Sequence, residues 1–135
     1  MSQNGTSKVL YIEDQPEMID LVRLTLRRMG CEVYGATDGV QGLNMMRELQ
    51  PDLVLLDLML PGSDGWEIRN AMQSDERLKS MPVVLVTARV PDEAMPKGRK
   101  LPQADAYIAK PFSLAEIRSV VQSVLSQRKS TRVAA

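Results

Sequence analysis

Acidic, hydroxyl and amine side chains directly follow four apolar runs of this chain. Glu13 and Asp14 follow residues 8–12, Asp57 follows residues 53–56, Thr87 follows residues 83–86, and Lys110 follows residues 105–109. If these runs are parallel strands of one sheet, their carboxyl ends lie along a single edge, which is where open α/β sheets bind ligands. The spacing therefore predicts that three carboxylates, a hydroxyl and an ammonium converge on one patch.

Three neighbouring carboxylates repel one another unless a cation lies between them. Ligand sets made only of oxygen atoms favour hard divalent ions, so Glu13, Asp14 and Asp57 indicate a site for Mg²⁺ or Mn²⁺. The chain contains no histidine, which excludes imidazole catalysis from its own residues and any histidine-ligated metal.

Asp57 at the end of a strand is expected to be a metal-bound, exposed carboxylate, and such a group can act as a nucleophile toward phosphoryl groups. Phosphoryl transfer mainly requires positioning and neutralisation of charge. Lys110 can supply positive charge, while the Thr87 hydroxyl and the backbone N–H of Ala88 can donate hydrogen bonds. Taken singly, each residue also has an ordinary explanation as a cap, a turn residue or a solvated charge.

Helical patterns alternate with the apolar runs. Strands are predicted at 8–12, 31–36, 53–57, 83–86 and 105–109. One helix begins at Pro16, another runs from Ser63-Asp64 to about Gln73, and the last begins with the capping box of Ser113 and Glu116. The second helix, capped by Asp38, is expected to bury four residues at helical spacing: Val40, Leu43, Met46 and Leu49.

This βα alternation predicts an α/β fold, a single doubly wound five-stranded parallel sheet with helices on both faces. The fourth helical segment contains Pro91, Pro96, Gly98 and Pro102. Since interior proline disfavours a helix by ~3 kcal/mol, we expect that segment to be short, bent or mobile.

Composition is that of one cytosolic domain. The 135 residues carry equal numbers of basic and acidic side chains, 17 of each, which argues against a nucleic-acid surface on this domain. The single cysteine, Cys31, fits a reducing compartment, and no apolar stretch is long enough to cross a membrane. We expect residues 1–7 to be disordered, 8–126 to form the domain, and 127–135 to be a tail or truncated linker.

The combined motifs resemble the receiver domain of two-component response regulators. The matching pieces are residues 9–14, 55–65, 86–88 and 107–112, and the similarity covers about residues 8–126. Each piece alone is a weak signal, but together they are highly specific. The resemblance implies the strand order 2-1-3-4-5 and a cis peptide bond between Lys110 and Pro111.

The resemblance also implies residue roles. Asp57 would accept the phosphoryl group, and it would bind Mg²⁺ directly together with Asp14 and the backbone carbonyl of Met59. Glu13 would contribute largely through water. Thr87 and Lys110 would contact the phosphoryl group.

Two further roles follow from the same resemblance. Tyr107 would be the switch aromatic that turns inward as Thr87 moves toward the phosphate. Met59 and Arg89 would border the path of the attacking water, and because a thioether is a weak acceptor, we expect slow self-dephosphorylation.

The expected function is a phosphorylation-activated switch rather than an enzyme with an external substrate. Its partners would be a histidine kinase or a histidine phosphotransfer protein, and a downstream protein or an output domain. The resemblance leaves the oligomeric state open, because the face through which family members form homodimers includes segment 91–102. The alternatives are an Asp-nucleophile phosphohydrolase, a flavodoxin-like nucleotide or flavin binder, and a phosphorylation-independent interaction domain.

Overall fold

A parallel sheet of five strands lies at the centre of the molecule. The computed structural model describes residues 6–60, 63–88 and 102–134. In chain order the strands are β1 (Ser7–Ile12), β2 (Cys31–Ala36), β3 (Leu53–Asp57), β4 (Met59–Leu60), β5 (Ser63–Asp64), β6 (Val83–Ala88) and β7 (Ala106–Lys110). The main sheet has the order β2-β1-β3-β6-β7, and all of its pairs are parallel. The predicted order is therefore confirmed.

Helices cover both faces of this sheet. They are α1 (Pro16–Arg27), α2 (Gly39–Leu49), α3 (Gly65–Gln73) and α4 (Leu114–Ala134). Because successive strand residues point to opposite faces, Val9 of β1 packs with residues of α1 and α4, whereas Leu10 packs with residues of α2 and α3. The doubly wound α/β class is confirmed.

The helix starts follow the predicted local signals. Pro16 opens α1, and the Asp38 side chain accepts a hydrogen bond from the Gln41 backbone N–H at the start of α2. Ser113 Oγ accepts from the Glu116 N–H at 3.0 Å. These contacts satisfy backbone donors that a first helical turn leaves free.

The predicted inward face of α2 is wrong at Val40, which is 72% exposed, whereas Met46 is fully buried. The buried residues of this helix are Gly39, Gly42 and Met46. A Cβ on Gly42 would lie 2.5 Å from the Ile12 side chain, so it is the glycine face that approaches the sheet closely. A pattern of large apolar residues does not reveal such a contact.

The structure also departs from the expected elements in several places: β6 continues through Ala88, and β7 is shifted by one residue to Ala106–Lys110. The first strand begins at Ser7, inside the stretch that we expected to be disordered, because its amide pairs with the Gly30 carbonyl. Residues 59–60 and 63–64 form an unpredicted antiparallel pair. Helix α4 continues through Ala134, so residues 127–134 are helical rather than an irregular tail. The predicted fourth helical segment, apart from Pro102, lies outside the described residues.

No helix in the described part of the chain is long and apolar enough to cross a membrane.

The assignment of Met46 to the buried face of α2 and of Val40 to its exposed face can be tested by measuring the stability of two variants. Met46→Ala should lower the free energy of unfolding by about 2–5 kcal/mol, because it leaves a cavity at a fully buried site. Val40→Ala on the same helix should change it by under about 0.5 kcal/mol. Urea unfolding followed by circular dichroism measures both, and equal losses would contradict the assignment.

Candidate functional site

The carboxyl edge of the sheet brings four predicted residues together. Glu13 and Asp14 follow β1, Asp57 ends β3, and Lys110 ends β7. Each of the three acidic residues offers a carboxylate oxygen, and these atoms all lie within 4.8 Å of one another. Side chains from distant parts of the sequence thus meet because parallel strands end at the same edge.

Lys110 lies between two of the carboxylates. Its Nζ atom donates to Asp57 Oδ2 at 2.7 Å and to Glu13 Oε1 at 2.8 Å. The ammonium therefore neutralises charge that would otherwise oppose the close packing of three acids.

Glu13 is fully buried, and hydrogen bonds from three groups stabilise its carboxylate. Lys110 and the Tyr11 hydroxyl both reach Oε1, the latter at 3.2 Å, and the Gln15 backbone N–H donates to Oε2 at 3.1 Å. The Tyr11 contact was missed in the sequence. Its spacing was the available signal, because residues two apart on an extended chain point to the same side.

Asp57 is buried rather than exposed as expected, with only 3% of its surface accessible. Lys110 covers Oδ2, and the Met59 backbone N–H donates to Oδ1 at 2.9 Å. The Met59 side chain points outward and is 57% exposed. Both acceptor oxygens are thus oriented by donors, which explains how a buried carboxylate is tolerated.

Thr87 and Ala88 are the last two residues of β6, next to Ala109 and Lys110 of β7. The Thr87 hydroxyl donates to the Ala88 carbonyl at 3.4 Å, and no hydrogen bond between Thr87 and Asp57 is present among the described contacts. Arg89 lies outside the described residues. The predicted cis bond between Lys110 and Pro111 is confirmed.

Tyr107 lies at the protein surface. Its side chain is exposed, and its hydroxyl donates to the Pro102 carbonyl at 2.7 Å. Arg69 of α3 also contacts this segment, through a 2.9 Å hydrogen bond from Nε to the Gln103 carbonyl. Burial lowers the pKa of the Arg69 guanidinium. The chain before β7 is therefore held from two sides.

Two pKa values at the edge reflect these contacts. Burial lowers the pKa of Lys110, but its hydrogen bonds to Asp57 and Glu13 outweigh that effect, so the net shift is upward. Burial and the neighbouring Glu13 charge raise the pKa of the Tyr11 hydroxyl. Lys110 is consequently a cation and Tyr11 a neutral donor at physiological pH.

The residues present fit a hard divalent ion. All three candidate ligand groups are carboxylates with oxygen atoms close enough to share one cation, and oxygen-rich sites of this kind suit Mg²⁺ or Mn²⁺. The metal roles of Glu13, Asp14, Asp57 and the Met59 carbonyl stay predictions.

Comparison with known proteins places this geometry in a family. The chain matches the response regulator receiver domain over residues 9–122, and it belongs to that family. A curated relative, the DNA-binding dual master transcriptional regulator RpaA of Synechocystis sp., is 36% identical over 130 residues. The match covers 93% of this chain and 51% of the relative, so the chain spans about half the length of that protein.

Solved structures agree on the fold. The chemotaxis response regulator CheY4 of Vibrio cholerae superimposes with a TM-score of 0.75 at 26% identity, covering 88% of this chain and 98% of that one. A CheY-like receiver domain protein from Methanospirillum hungatei gives a TM-score of 0.78 at 23% identity, with coverages of 94% and 99%. The receiver fold expected from the motifs is confirmed.

The contribution of Lys110 to stability can be measured with a double-mutant cycle. Lys110→Met should lower the free energy of unfolding by about 3 kcal/mol at pH 7 without divalent ions, because two buried carboxylates lose their cation. The same change should cost clearly less in an Asp57→Asn background. Lys79→Met, which removes an exposed ammonium paired with Glu76, is the control and should cost under about 1 kcal/mol.

The pH dependence of this contribution has a definite sign. A lysine whose folded pKa is raised stabilises fully below its unfolded pKa of 10.5 and loses that effect as the pH rises through the folded value. The difference between wild type and Lys110→Met should therefore stay constant near neutrality and shrink only above about pH 10.5. A difference that already disappears between pH 7 and 9 would contradict this origin.

Proposed function

We propose that this chain is a phosphorylation-activated signalling switch in which Asp57 accepts a phosphoryl group. The observation that carries the proposal is the arrangement at the sheet edge: Asp57 is oriented by Lys110 and the Met59 amide, with the Glu13 and Asp14 carboxylates close by. Since the chain has no histidine, the donor is the phosphohistidine of a histidine kinase or phosphotransfer protein, or a small phosphodonor.

The transfer is a direct displacement. A carboxylate oxygen of Asp57 attacks phosphorus, the bond from phosphorus to the donor's histidine nitrogen breaks, and an acyl phosphate forms on Asp57. Lys110 moves from its carboxylate partners to the new phosphoryl oxygens, where its positive charge stabilises the added negative charge. The Thr87 hydroxyl and the Ala88 N–H donate hydrogen bonds to the same group.

Asp14, Asp57 and the Met59 backbone carbonyl would hold Mg²⁺ directly, with Glu13 contributing through water. When bound, the ion supplies further positive charge at the phosphoryl oxygens. The carboxylate spacing supports this assignment.

The switch follows from the same contacts. Phosphorylation adds charge and strong acceptors beside Thr87, which draws its hydroxyl away from the Ala88 carbonyl. Tyr107, now held outward by Pro102, turns inward into the space that this movement opens. The surface formed by β7 and α4 changes as a result; the predicted fourth helical segment, expected to share this face, lies outside the described residues.

The partners of such a switch are an upstream phosphohistidine protein and a downstream output. The RpaA relative is described as DNA-binding and is about twice as long as the matched region. We propose that the output comes from a further domain or a separate protein, while this domain itself binds no nucleic acid.

Phosphorylation can be tested directly. Incubation with acetyl phosphate and Mg²⁺ should add one phosphoryl group, because Asp57 is the oriented nucleophile, and intact-protein mass spectrometry detects the gain. Asp57→Asn should abolish it, since an amide cannot form the acyl phosphate.

Asp20→Asn is the matched control, because Asp20 is an exposed residue on α1 whose partner is Arg23. It should be modified at the wild-type rate. An unmodified wild type, or full modification of Asp57→Asn, would disprove the proposal. Steady turnover of a generic phosphoester would instead favour the phosphohydrolase alternative. Such enzymes often use an acidic residue two positions after the nucleophile, where this chain has Met59.

The lifetime of the phosphorylated state is a separate prediction. Met59→Asn should accelerate loss of the phosphoryl group severalfold, because an exposed amide can orient water where a thioether cannot. Loss of phosphorylated protein after removal of the donor measures the rate. Met59→Leu is the control and should match wild type, and an unchanged rate in Met59→Asn would show that this side chain does not limit hydrolysis.

A further inference from the structure

We propose that Tyr11 is a positioning residue for the metal-binding carboxylates, because its buried hydroxyl holds Glu13 in place when Lys110 leaves. This inference rests on the proposed function, in which Lys110 exchanges its carboxylate partners for the phosphoryl group. It adds a residue from the hydrophobic core to the site.

Packing in the hydrophobic core fixes the position of the Tyr11 side chain. The residue is fully buried in the core between the sheet, α1 and α4, so packing fixes the position of the ring. Its hydroxyl donates to Glu13 Oε1 at 3.2 Å. A buried hydroxyl without a partner is unfavourable, so keeping this contact in every state stabilises the protein.

The two donors to Glu13 Oε1, Lys110 and Tyr11, are expected to behave differently when Asp57 is phosphorylated. Lys110 is partly exposed, with 25% of its side chain accessible, and it also binds Asp57. When Lys110 moves to the phosphoryl group, the Tyr11 hydroxyl is the donor to Glu13 Oε1 that remains among the described residues. Gln15 stays on the other oxygen. Glu13 thereby keeps its orientation toward the ion while the mobile cation moves.

A second tyrosine provides a matched comparison. On β2, the Tyr34 hydroxyl donates to Glu32 at 2.7 Å, with the same spacing of two residues. That pair is exposed and lies outside the carboxylate cluster. Removing the Tyr34 hydroxyl therefore measures the effect of losing a tyrosine–glutamate hydrogen bond in general. Removing the Tyr11 hydroxyl measures the effect of losing such a bond beside the carboxylate cluster.

The first experiment measures metal binding without any phosphoryl transfer. Mn²⁺ affinity is determined by electron paramagnetic resonance for wild type, Tyr11→Phe and Tyr34→Phe. Tyr11→Phe should bind about tenfold more weakly, the usual effect of removing a hydrogen bond that orients a metal ligand. Tyr34→Phe should stay within about twofold of wild type.

The second experiment asks whether Tyr11 acts through Glu13. In a Glu13→Gln background, Tyr11→Phe should have no further effect on Mn²⁺ affinity, because the carboxylate that it positions is gone. A loss of the same size in both backgrounds would show that Tyr11 acts through packing and would overturn the inference. Circular dichroism checks that every variant is folded.

A measurement on wild type keeps the inference testable if Tyr11→Phe folds poorly. With labelled tyrosine, nuclear magnetic resonance should show a Tyr11 hydroxyl proton protected from exchange and retained after Mg²⁺ is added. Its disappearance on Mg²⁺ binding would overturn the inference.

The outcomes separate this inference from the proposed function. If wild type binds no Mn²⁺, the proposed metal site and the role of Tyr11 are both wrong, whereas the phosphorylation of Asp57 is decided by its own experiment. If wild type binds Mn²⁺ and is phosphorylated while Tyr11→Phe binds equally well, only the role of Tyr11 is wrong.

Discussion

The contact on which this site depends is the double ion pair of Lys110 with Glu13 and Asp57. Carboxylates packed this closely repel one another, and burial strengthens the repulsion because little water screens it. The ammonium at 2.7 and 2.8 Å relieves that repulsion. A phosphoryl group would compete for the same cation, so under the proposed function the contact that stabilises the resting site would also respond to modification.

The sheet supplies the precision that this contact requires. Asp57 pairs with Val86, and Lys110 pairs with Ala88, so three adjacent strands set the separation of acid and amine. The turn after Asp57 depends on a close approach, because a Cβ on Gly65 would lie 2.6 Å from the Leu58 Cα. Glycine there lets α3 start directly beside the strand end, and the Met59 amide can then reach Asp57.

Several features were not evident from residue patterns. Val40 looked like a core residue because large apolar side chains dominate helical patterns, yet the contact with Ile12 is made by Gly42. Asp57 looked exposed because strand ends usually meet water, yet Lys110 and the Met59 amide allow it to be buried. Tyr11 was not singled out in the sequence: its spacing from Glu13 places both side chains on the same side of the strand, but a strand pattern does not show that the hydroxyl reaches the carboxylate.

The amino-acid sequence by itself determined the alternation of strands and helices, the parallel sheet and the edge at which Glu13, Asp14, Asp57 and Lys110 would meet. It could do so because strand length, helical period, caps and proline placement are local properties of the chain. The tertiary structure alone decided which oxygens Lys110 binds, that Tyr11 shares one of them, and that Tyr107 faces outward. Those outcomes depend on distances between side chains far apart in the chain, and packing rather than local preference sets such distances.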